Sequence, residues 1–321
     1  MFSKILVTGG NGFLGKHVVE LLEDVLSSTA IFTPSSAEVD LRNEEQTISY
    51  FKKHRFDAVI SLAARLGGIG DNRNYPATYF RDNIMIGVNT LSAAQKTGVK
   101  KVVNVGTVCS YPKFTPVPFK EEDLWKGYPE ETNSAYGIAK KAVFEYSKAL
   151  ENQFGFKCAN LLLTNLYGPG DDFREETSHV IPALVKKLHH TITQNSQTLN
   201  VWGDGSPSRD FLYVKDAALG IIAALLNEVS SDPINLGSGN DITIKELVLK
   251  LSSIFDFNGK VKWDTTKPNG QPTRRLSIER AKKVLSFRPK TSFDEGIGIT
   301  IQWYMDNLDE LMLQGEKYNE N

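Results

Sequence analysis

Short apolar runs alternate with longer amphipathic stretches along the first half of the chain. The runs are aliphatic and β-branched without strict polar alternation, which is typical of strands covered on both faces. They span residues 4–8, 30–33, 57–62, 101–105 and 159–164. The stretches with apolar residues at helical spacing span 13–26, 44–54, 79–97 and 135–154. This order predicts repeated βαβ units and an α/β fold with a Rossmann-type, doubly wound parallel sheet.

After about Tyr167 the pattern changes to shorter strands and separate helices. The predicted strands span 199–202, 211–214 and 261–263, and the predicted helices span 215–227, 243–255 and 293–305. We therefore expect one domain over 1–167, to which segments at about 199–225 return. A smaller C-terminal α/β region covers 168–321.

Composition narrows the class of protein. The 321 residues are 40% hydrophobic and 23% charged, with 37 basic and 38 acidic residues, so the chain is typical of a globular protein without an excess of either charge. We expect neither nucleic acid nor a membrane as a partner, and no metal site. The two cysteines, Cys109 and Cys158, form no disulfide framework and suit a reducing compartment. With no secretory pattern at the N-terminus, we expect a cytoplasmic protein.

A glycine-rich loop follows the first predicted strand and precedes the first predicted helix. Gly9, Gly12 and Gly15 stand at the spacing that allows a tight turn, close approach of backbone amides to a pyrophosphate, and close packing of helix on strand. A dinucleotide is therefore expected here. The residues predicted to contact it are Gly9, Gly10, Asn11, Gly12, Phe13, Leu14 and Gly15.

The residues after the second strand bear on the choice of dinucleotide. A carboxylate at the end of that strand would bind the ribose 2′-hydroxyl of NAD. The segment Thr33-Pro34-Ser35-Ser36 has none, and it has no arginine to require NADP. NADP is therefore allowed, with Ser35 and Ser36 as its contacts. Asp40 and Leu41 are expected near the adenine.

Tyr136 and Lys140 lie four residues apart at the start of a predicted helix and therefore share one face. A nearby ammonium favours the phenolate and makes proton exchange with a carbonyl oxygen practical. Thr107, just after a predicted strand, adds a hydroxyl.

These features resemble the extended short-chain dehydrogenase/reductase family. Further matching segments are Leu62-Ala63-Ala64, Asn165-Leu166-Tyr167-Gly168-Pro169 and Arg209-Asp210-Phe211-Leu212-Tyr213-Val214. The resemblance implies NADP(H) as cofactor, with Leu62, Ala63, Ala64, Asn165 and the Tyr136–Lys140 pair among its contacts. It also implies that Thr107 and Tyr136 polarise the substrate oxygen while Lys140 holds the nicotinamide ribose.

The residues after Thr107 indicate the branch of that family. Sugar-nucleotide 4,6-dehydratases carry an Asp-Glu pair there, whereas this chain has Val108-Cys109-Ser110. The cysteine resembles the branch that converts GDP-4-keto-6-deoxy-D-mannose into GDP-L-fucose. The resemblance implies that Cys109 is the base and His179 the acid of epimerisation at C3 and C5, before reduction at C4. His179 is also expected to contact the cofactor.

The same resemblance places the GDP-sugar in the C-terminal region. Its implied contacts are Asn165, Lys187, Trp202 and Arg209, and the helices 79–97 and 135–154 are expected to form a homodimer interface. Two alternatives stay open. One is a C4-reductase or epimerase/reductase for a related nucleotide sugar, such as a GDP-4-keto-6-deoxy-heptose, and the other is an NADP-binding sensor without catalysis.

Overall fold

The computed structural model describes residues 2–67, 72, 74–174, 177–267 and 269–311. Its strands are β1 Lys4–Thr8, β2 Ala30–Phe32, β3 Ala58–Ser61, β4 Lys101–Thr107, β5 Cys158–Leu163, β6 Asn165–Tyr167, β7 Thr198–Trp202, β8 Ser208–Arg209, β9 Phe211–Tyr213, β10 Ile234–Leu236, β11 Ile242–Thr243, β12 Lys260–Asp264 and β13 Thr273–Arg274. Its α-helices are α1 Phe13–Val25, α2 Glu44–His54, α3 Pro76–Lys96, α4 Ser134–Phe154, α5 Val180–Thr193, α6 Val214–Leu226, α7 Ile244–Ile254, α8 Glu279–Leu285 and α9 Phe293–Asp306.

The main sheet has six strands in the order β10-β5-β4-β3-β1-β2, and every pair is parallel. The predicted Rossmann-type parallel sheet is therefore confirmed. The strand order reverses at β1, which pairs with β2 on one side and β3 on the other. In open α/β sheets, ligands bind beyond the carboxyl ends of the strands at such a reversal.

Helices cover both faces of this sheet. Ile5 and Val7 of β1 pack in one hydrophobic cluster with Ile221 of α6, whereas Leu6 packs in another with Phe51 of α2. Successive strand residues point to opposite faces, so this division follows directly from the pleat. It also explains why the strand lacks polar alternation, since both faces are buried.

The C-terminal region has its own core and small sheets. β7 pairs with β12, and β8 pairs with both β11 and β13. The segment expected to return to the first domain, about 199–225, divides: β7 joins the C-terminal sheet, while α6 packs on the main sheet. Beyond that segment, β10 supplies the sixth strand of the main sheet. The chain therefore crosses between the two parts more than once.

Candidate active site

The glycine loop has the backbone geometry that its spacing predicts. Gly9 has a φ of +70°, a conformation that glycine adopts without steric cost. A Cβ atom on Gly15 would lie 2.1 Å from the Gly9 carbonyl oxygen, so only glycine allows α1 to start this close to β1. The first and third glycines therefore perform the turn and packing roles expected of them.

The start of α1 fits an anion. Gly12 is the N-cap, has no side chain to cap the helix, and is followed by no acidic residue in the first turn. The amides of Phe13 and Leu14 belong to the first turn, where backbone N–H groups lack partners within the helix. A pyrophosphate therefore matches both the backbone donors and the helix dipole.

The loop after β3 packs against one side of the glycine loop. A Cβ atom on Gly9 would lie 2.9 Å from the Ala63 amide nitrogen, and that amide donates to Thr8 Oγ1 at 3.2 Å. Leu62 and Ala64 flank the contact. The segment predicted to touch the cofactor thus lies directly against the glycine loop.

The segment after β2 contains a carboxylate that the sequence reasoning missed. Glu38 Oε2 accepts hydrogen bonds from Ser35 N at 2.8 Å and from Ser35 Oγ at 3.0 Å. These bonds hold the pKa of Glu38 below its usual range, so it is ionised at neutral pH. The nearby Asp40 is held by the Arg42 guanidinium through two 2.9 Å bonds, and Leu41 is buried.

Cys109 lies on a short 3₁₀ turn that follows β4 and packs against the start of α4. The Cys109 amide donates to Thr107 Oγ1 at 3.2 Å, and Ser110 Oγ donates to the Gly137 carbonyl at 2.9 Å. A Cβ atom on Gly137 would lie 2.3 Å from the Cys109 carbonyl oxygen. Glycine at 137 therefore lets the thiol turn approach the helix beside Tyr136.

The charge states of Tyr136 and Lys140 are governed by burial. Burial raises the pKa of Tyr136 well above its usual value, and Cys109 and Tyr79 add to the effect. Burial lowers the pKa of Lys140 to about 8, while its Nζ donates to the Val105 carbonyl at 3.1 Å. Burial therefore keeps Tyr136 neutral, and the effect of Lys140 on the phenol stays a prediction.

Two arginines face Cys109 from the C-terminal region. In the pairing of β13 with β8, Arg274 lies opposite Arg209. Arg274 Nη1 lies 3.8 Å from Cys109 Sγ, and Arg209 donates to the Ser208 carbonyl at 2.7 Å. Burial, followed by the neighbouring Arg274, lowers the pKa of Arg209 to about 10. The sequence predicted Arg209 as a contact of the GDP-sugar. It gave no such indication for Arg274, which appeared only as part of the basic pair Arg274-Arg275.

His179 is the N-cap residue of α5 and is exposed. The surrounding protein lowers its pKa, and Asp172 opposes that shift. Asp172 is itself held by Arg174 at 2.7 Å. In the part of the chain that the structure describes, no hydrogen bond links His179 to Cys109. Cys109 lies on the turn after β4, whereas His179 lies at the start of α5.

Three other predicted contacts of the GDP-sugar, Lys187, Trp202 and Asn165, belong to or adjoin the C-terminal region. Lys187 Nζ lies 6.0 Å from the ring centre of Trp202, which is 67% exposed, and Lys267 Nζ lies 5.6 Å from the same ring. Asn165 Nδ2 donates to the Asp210 carbonyl at 3.0 Å. An exposed aromatic face between two lysines can stack on a base and attract phosphate.

Two kinds of site are absent from the described residues. No group of three or more histidine, cysteine or acidic side chains there has the arrangement needed to hold a metal ion. Nor does any helix within the same residues combine the length and apolarity needed to cross a bilayer.

Comparison with known proteins identifies the family. The model of the NAD dependent epimerase/dehydratase family matches residues 5–237. The GDP-L-fucose synthase 1 of Arabidopsis thaliana is 37% identical over 306 residues, which cover 95% of this chain and 94% of the relative.

Two solved structures resemble the whole chain. A GDP-6-OMe-4-keto-L-xylo-heptose reductase from C. jejuni has a TM-score of 0.88 at 26% identity, covering 95% of this chain and 98% of that one. A GDP-L-fucose synthetase from Naegleria fowleri bound to NADP has a TM-score of 0.86 at 30% identity, covering 96% and 94%. These matches confirm the resemblance drawn from the glycine loop and the Tyr136–Lys140 pair, and the chain belongs to the NAD dependent epimerase/dehydratase family.

Proposed function

We propose that the chain catalyses the NADPH-dependent 3,5-epimerisation and 4-reduction of GDP-4-keto-6-deoxy-D-mannose to GDP-L-fucose. The observation that carries this proposal is the packing of the Cys109 turn against Gly137, which sets a thiol beside Tyr136. Ketone reduction needs a phenol and a neighbouring hydroxyl, so a thiol in the same place is a second acid–base group. The names of the relatives support the choice of sugar and nucleotide.

Epimerisation requires proton removal on one face of the sugar and proton return on the other. The C4 ketone acidifies the hydrogens on C3 and C5, so a positioned base can remove them. Cys109, on the main-sheet side, acts as the base. His179, on the C-terminal side, acts as the acid, and its lowered pKa makes the imidazolium a stronger proton donor.

Reduction then occurs at C4, where bound NADPH supplies the hydride. Tyr136 is a neutral phenol because burial raises its pKa, and it donates its proton to the C4 oxygen. The Thr107 hydroxyl accepts from the Cys109 amide and keeps its own hydrogen for the same oxygen. Lys140, whose Nζ donates to the Val105 carbonyl, would hold the nicotinamide ribose.

Cationic side chains of the C-terminal region bind the GDP portion. Arg209 can form paired hydrogen bonds with a phosphate, and Arg274 lies beside it in the strand register. Trp202, with Lys187 over its ring, offers a face for the base. Arg209, Arg274 and Lys187 thus supply positive charge for the diphosphate, although the chain as a whole is nearly neutral.

A second candidate is a C4-reductase or epimerase/reductase that acts on a related GDP-sugar, such as a GDP-4-keto-6-deoxy-heptose. The likeness to the C. jejuni heptose reductase favours it. A sensor without catalysis is less well supported, because Thr107, Cys109, Tyr136 and Lys140 are assembled at one site. Proton exchange between Cys109 and the sugar distinguishes an epimerase/reductase from a simple C4-reductase, and the sugar that is turned over distinguishes GDP-4-keto-6-deoxy-D-mannose from a related substrate.

The deciding experiment is NMR of the product formed from GDP-4-keto-6-deoxy-D-mannose and NADPH in deuterated water. We expect GDP-L-fucose carrying deuterium at C3 and C5. A reduced sugar without deuterium and with unchanged configuration would instead indicate a C4-reductase. Absence of NADPH consumption with this sugar and with a 4-keto-heptose analogue would favour the sensor.

We also propose a homodimer formed through α3 and α4. These helices pack on each other within the chain, yet Phe80 and Met85 of α3 stay 39% and 38% exposed. Apolar side chains exposed on such a helix pair could be covered by the same pair in a second copy, which would form a four-helix interface. Sedimentation at micromolar concentration tests this, and a monomer there would contradict it.

The proposed chemistry also suggests the compartment. Cys109 and Cys158 are free thiols, and a thiol that moves protons must stay reduced. We therefore place the reaction in the cytoplasm. Cell fractionation with an antibody against the native chain would test this assignment.

A further inference from the structure

Arg274 and the turn that carries Cys109 are joined by a ring of hydrogen bonds that closes through the backbone. Arg274 Nη1 lies 3.8 Å from Cys109 Sγ, and Arg274 Nε donates to Gln271 Oε1 at 2.6 Å. The buried Gln271 donates in turn from Nε2 to the Lys113 carbonyl at 2.5 Å. Lys113 lies on the segment that follows Cys109, so the ring returns to the same loop. The direction of the guanidinium is therefore fixed from two sides.

The cations near Cys109 have no carboxylate partner in the part of the chain that the structure describes. Neither Arg274 nor Arg209 forms an ion pair there, whereas the adjacent Arg275 is paired with Asp241 at 3.2 Å. Burial, followed by Arg274, lowers the pKa of Arg209 to about 10, which leaves its guanidinium charged at neutral pH. The half-buried sulfur of Cys109 thus faces positive charge that no carboxylate of the described residues balances.

The other groups around Cys109 are uncharged. The Thr107 hydroxyl accepts from the Cys109 amide at 3.2 Å. Burial, followed by Cys109, raises the pKa of Tyr136, so the phenol stays neutral. Of the described charged side chains, Arg274 is the one whose nitrogen comes within hydrogen-bonding reach of the sulfur. Arg274 is therefore the group best placed to change the charge state of the thiol.

We propose that Arg274 is a positioning residue that holds Cys109 as the thiolate needed for epimerisation, and that Gln271 orients Arg274. A guanidinium beside a cysteine favours the thiolate, which is the form that accepts a proton. A hydrogen bond to an ionised acceptor is also stronger than one to a neutral thiol. This inference rests on the proposed function and adds to it the means by which the thiol is activated.

The proton transfer needs no further reactant. The Cys109 thiolate takes a proton from C3 or C5 and forms an S–H bond, while the electron pair of the broken C–H bond moves into the enolate on the C4 oxygen. The new S–H proton then exchanges with water, which restores the thiolate beside Arg274. A guanidinium has five N–H donors, so Arg274 can hold the sulfur through Nη1 while other donors of the same fork face a diphosphate.

The first test measures the thiol in the protein without any sugar. Cys109 is alkylated at neutral pH with iodoacetamide, a neutral reagent, and mass spectrometry follows the modified peptide. The fully buried Cys158 is the internal control for folding. Because the thiolate is the reacting form, Arg274→Gln should lower the rate by about tenfold. Arg274→Lys, which keeps a cation, should lower it by about threefold or less, and Gln271→Met should lie between the two.

Arg275→Gln is the matched control, because it neutralises the neighbouring arginine, whose charge is already paired with Asp241. It should leave the rate of Cys109 alkylation unchanged. Loosened packing would have the opposite effect to the one proposed, since it would speed the alkylation of both cysteines. The ultraviolet absorbance of the thiolate, measured as the difference from Cys109→Ser, reports ionisation independently of access. In Arg274→Gln this absorbance should appear about one pH unit higher than in the natural chain.

The second test uses GDP-4-keto-6-deoxy-D-mannose at saturation with oxidised cofactor bound, so that weaker binding of the sugar does not contribute. Deuterium uptake at C3 and C5 should fall by about tenfold in Arg274→Gln and recover in Arg274→Lys.

The two tests separate failure of the inference from failure of the proposed function. Unchanged alkylation and unchanged thiolate absorbance in Arg274→Gln, or an equal fall in Arg275→Gln, would overturn the inference alone. If the thiol responds as expected but the natural chain exchanges no hydrogen at C3 or C5, the proposed epimerisation is overturned, while the effect of Arg274 on the thiol stands.

Discussion

Arg274 Nη1 lies 3.8 Å from Cys109 Sγ and so joins strand β13 of the C-terminal region to the turn after β4 of the main sheet. Arg274 is oriented by Gln271, whose Oε1 accepts from Arg274 Nε at 2.6 Å. A guanidinium in this position faces both the thiol and Arg209. In the proposed reaction, Arg274 would contact the diphosphate of the GDP-sugar while the sugar ring lies near Cys109.

We predict that Arg274→Gln raises the KM for the GDP-sugar by about tenfold or more, since one charge-assisted hydrogen bond to phosphate is lost. Steady-state kinetics at saturating NADPH measure this effect. Arg275→Gln is the matched control, because its guanidinium is paired with Asp241 at 3.2 Å. Equal KM increases in both variants would argue against a specific role for Arg274.

The sequence predicts the first half of the fold well because buried strands and amphipathic helices repeat there. Helix α2 and strand β1 have the predicted bounds. Strand β10 was missed because Ile234–Leu236 is only three residues long and pairs with β5 far away in the chain. Short strands leave too few positions for a period to be recognised.

In the candidate site too, features that depend on local sequence were predicted, and features that depend on distant partners were missed. Residues inside motifs, such as Tyr136 and Cys109, were predicted because their neighbours in sequence identify them. Arg274 and Glu38 were missed because their roles depend on partners brought by the fold, a strand register in one case and a turn in the other. For Glu38, the Ser-x-x-Glu spacing was the available signal.

Cofactor affinity should depend on the ionisation of Lys140. Burial lowers the pKa of Lys140 to about 8, so its ammonium is present below that pH and is lost above it. If the ammonium holds the cofactor ribose, the Kd for NADPH should rise by roughly tenfold per pH unit beyond this point. Fluorescence titration measures this Kd between pH 6.5 and 9.5, a range that extends about 1.5 units to either side of the Lys140 pKa. Lys140→Met should bind weakly with no such pH dependence.

Asp171 should make the folded state less stable as pH rises. Burial raises its pKa from 3.8 to about 7, so the folded chain binds this proton more tightly than the unfolded chain. Stability is therefore lost between these two values as pH increases. The natural chain should therefore lose about 4 kcal/mol of unfolding free energy between acidic and mildly alkaline pH, a loss that Asp171→Asn should not show. Urea unfolding measures this, and exposed Asp232→Asn should lose as much as the natural chain.

Cys109→Ser should separate epimerisation from reduction. A serine hydroxyl loses its proton far less readily than a thiol and so provides far less of the anion that acts as base. Deuterium uptake at C3 and C5 from deuterated water should therefore fall by about a hundredfold or more. Mass spectrometry of the ketosugar with oxidised cofactor bound measures the uptake. Cys158→Ser, at a position buried in β5, controls for general loss of thiol. Uptake at the natural rate in Cys109→Ser would mean that this thiol is merely packed.

Tyr136→Phe should have the opposite effect to Cys109→Ser. It removes the proton donor for the C4 oxygen, so NADPH consumption should fall by a factor on the order of 10², the usual contribution of a positioned general acid. Deuterium uptake at C3 and C5 should persist in part, because Cys109 and His179 are retained. Polarisation of the C4 oxygen by Thr107 supports that residual exchange. Measuring both rates on the same preparation distinguishes the two roles, and a parallel loss of exchange and reduction would show that Tyr136 serves both steps.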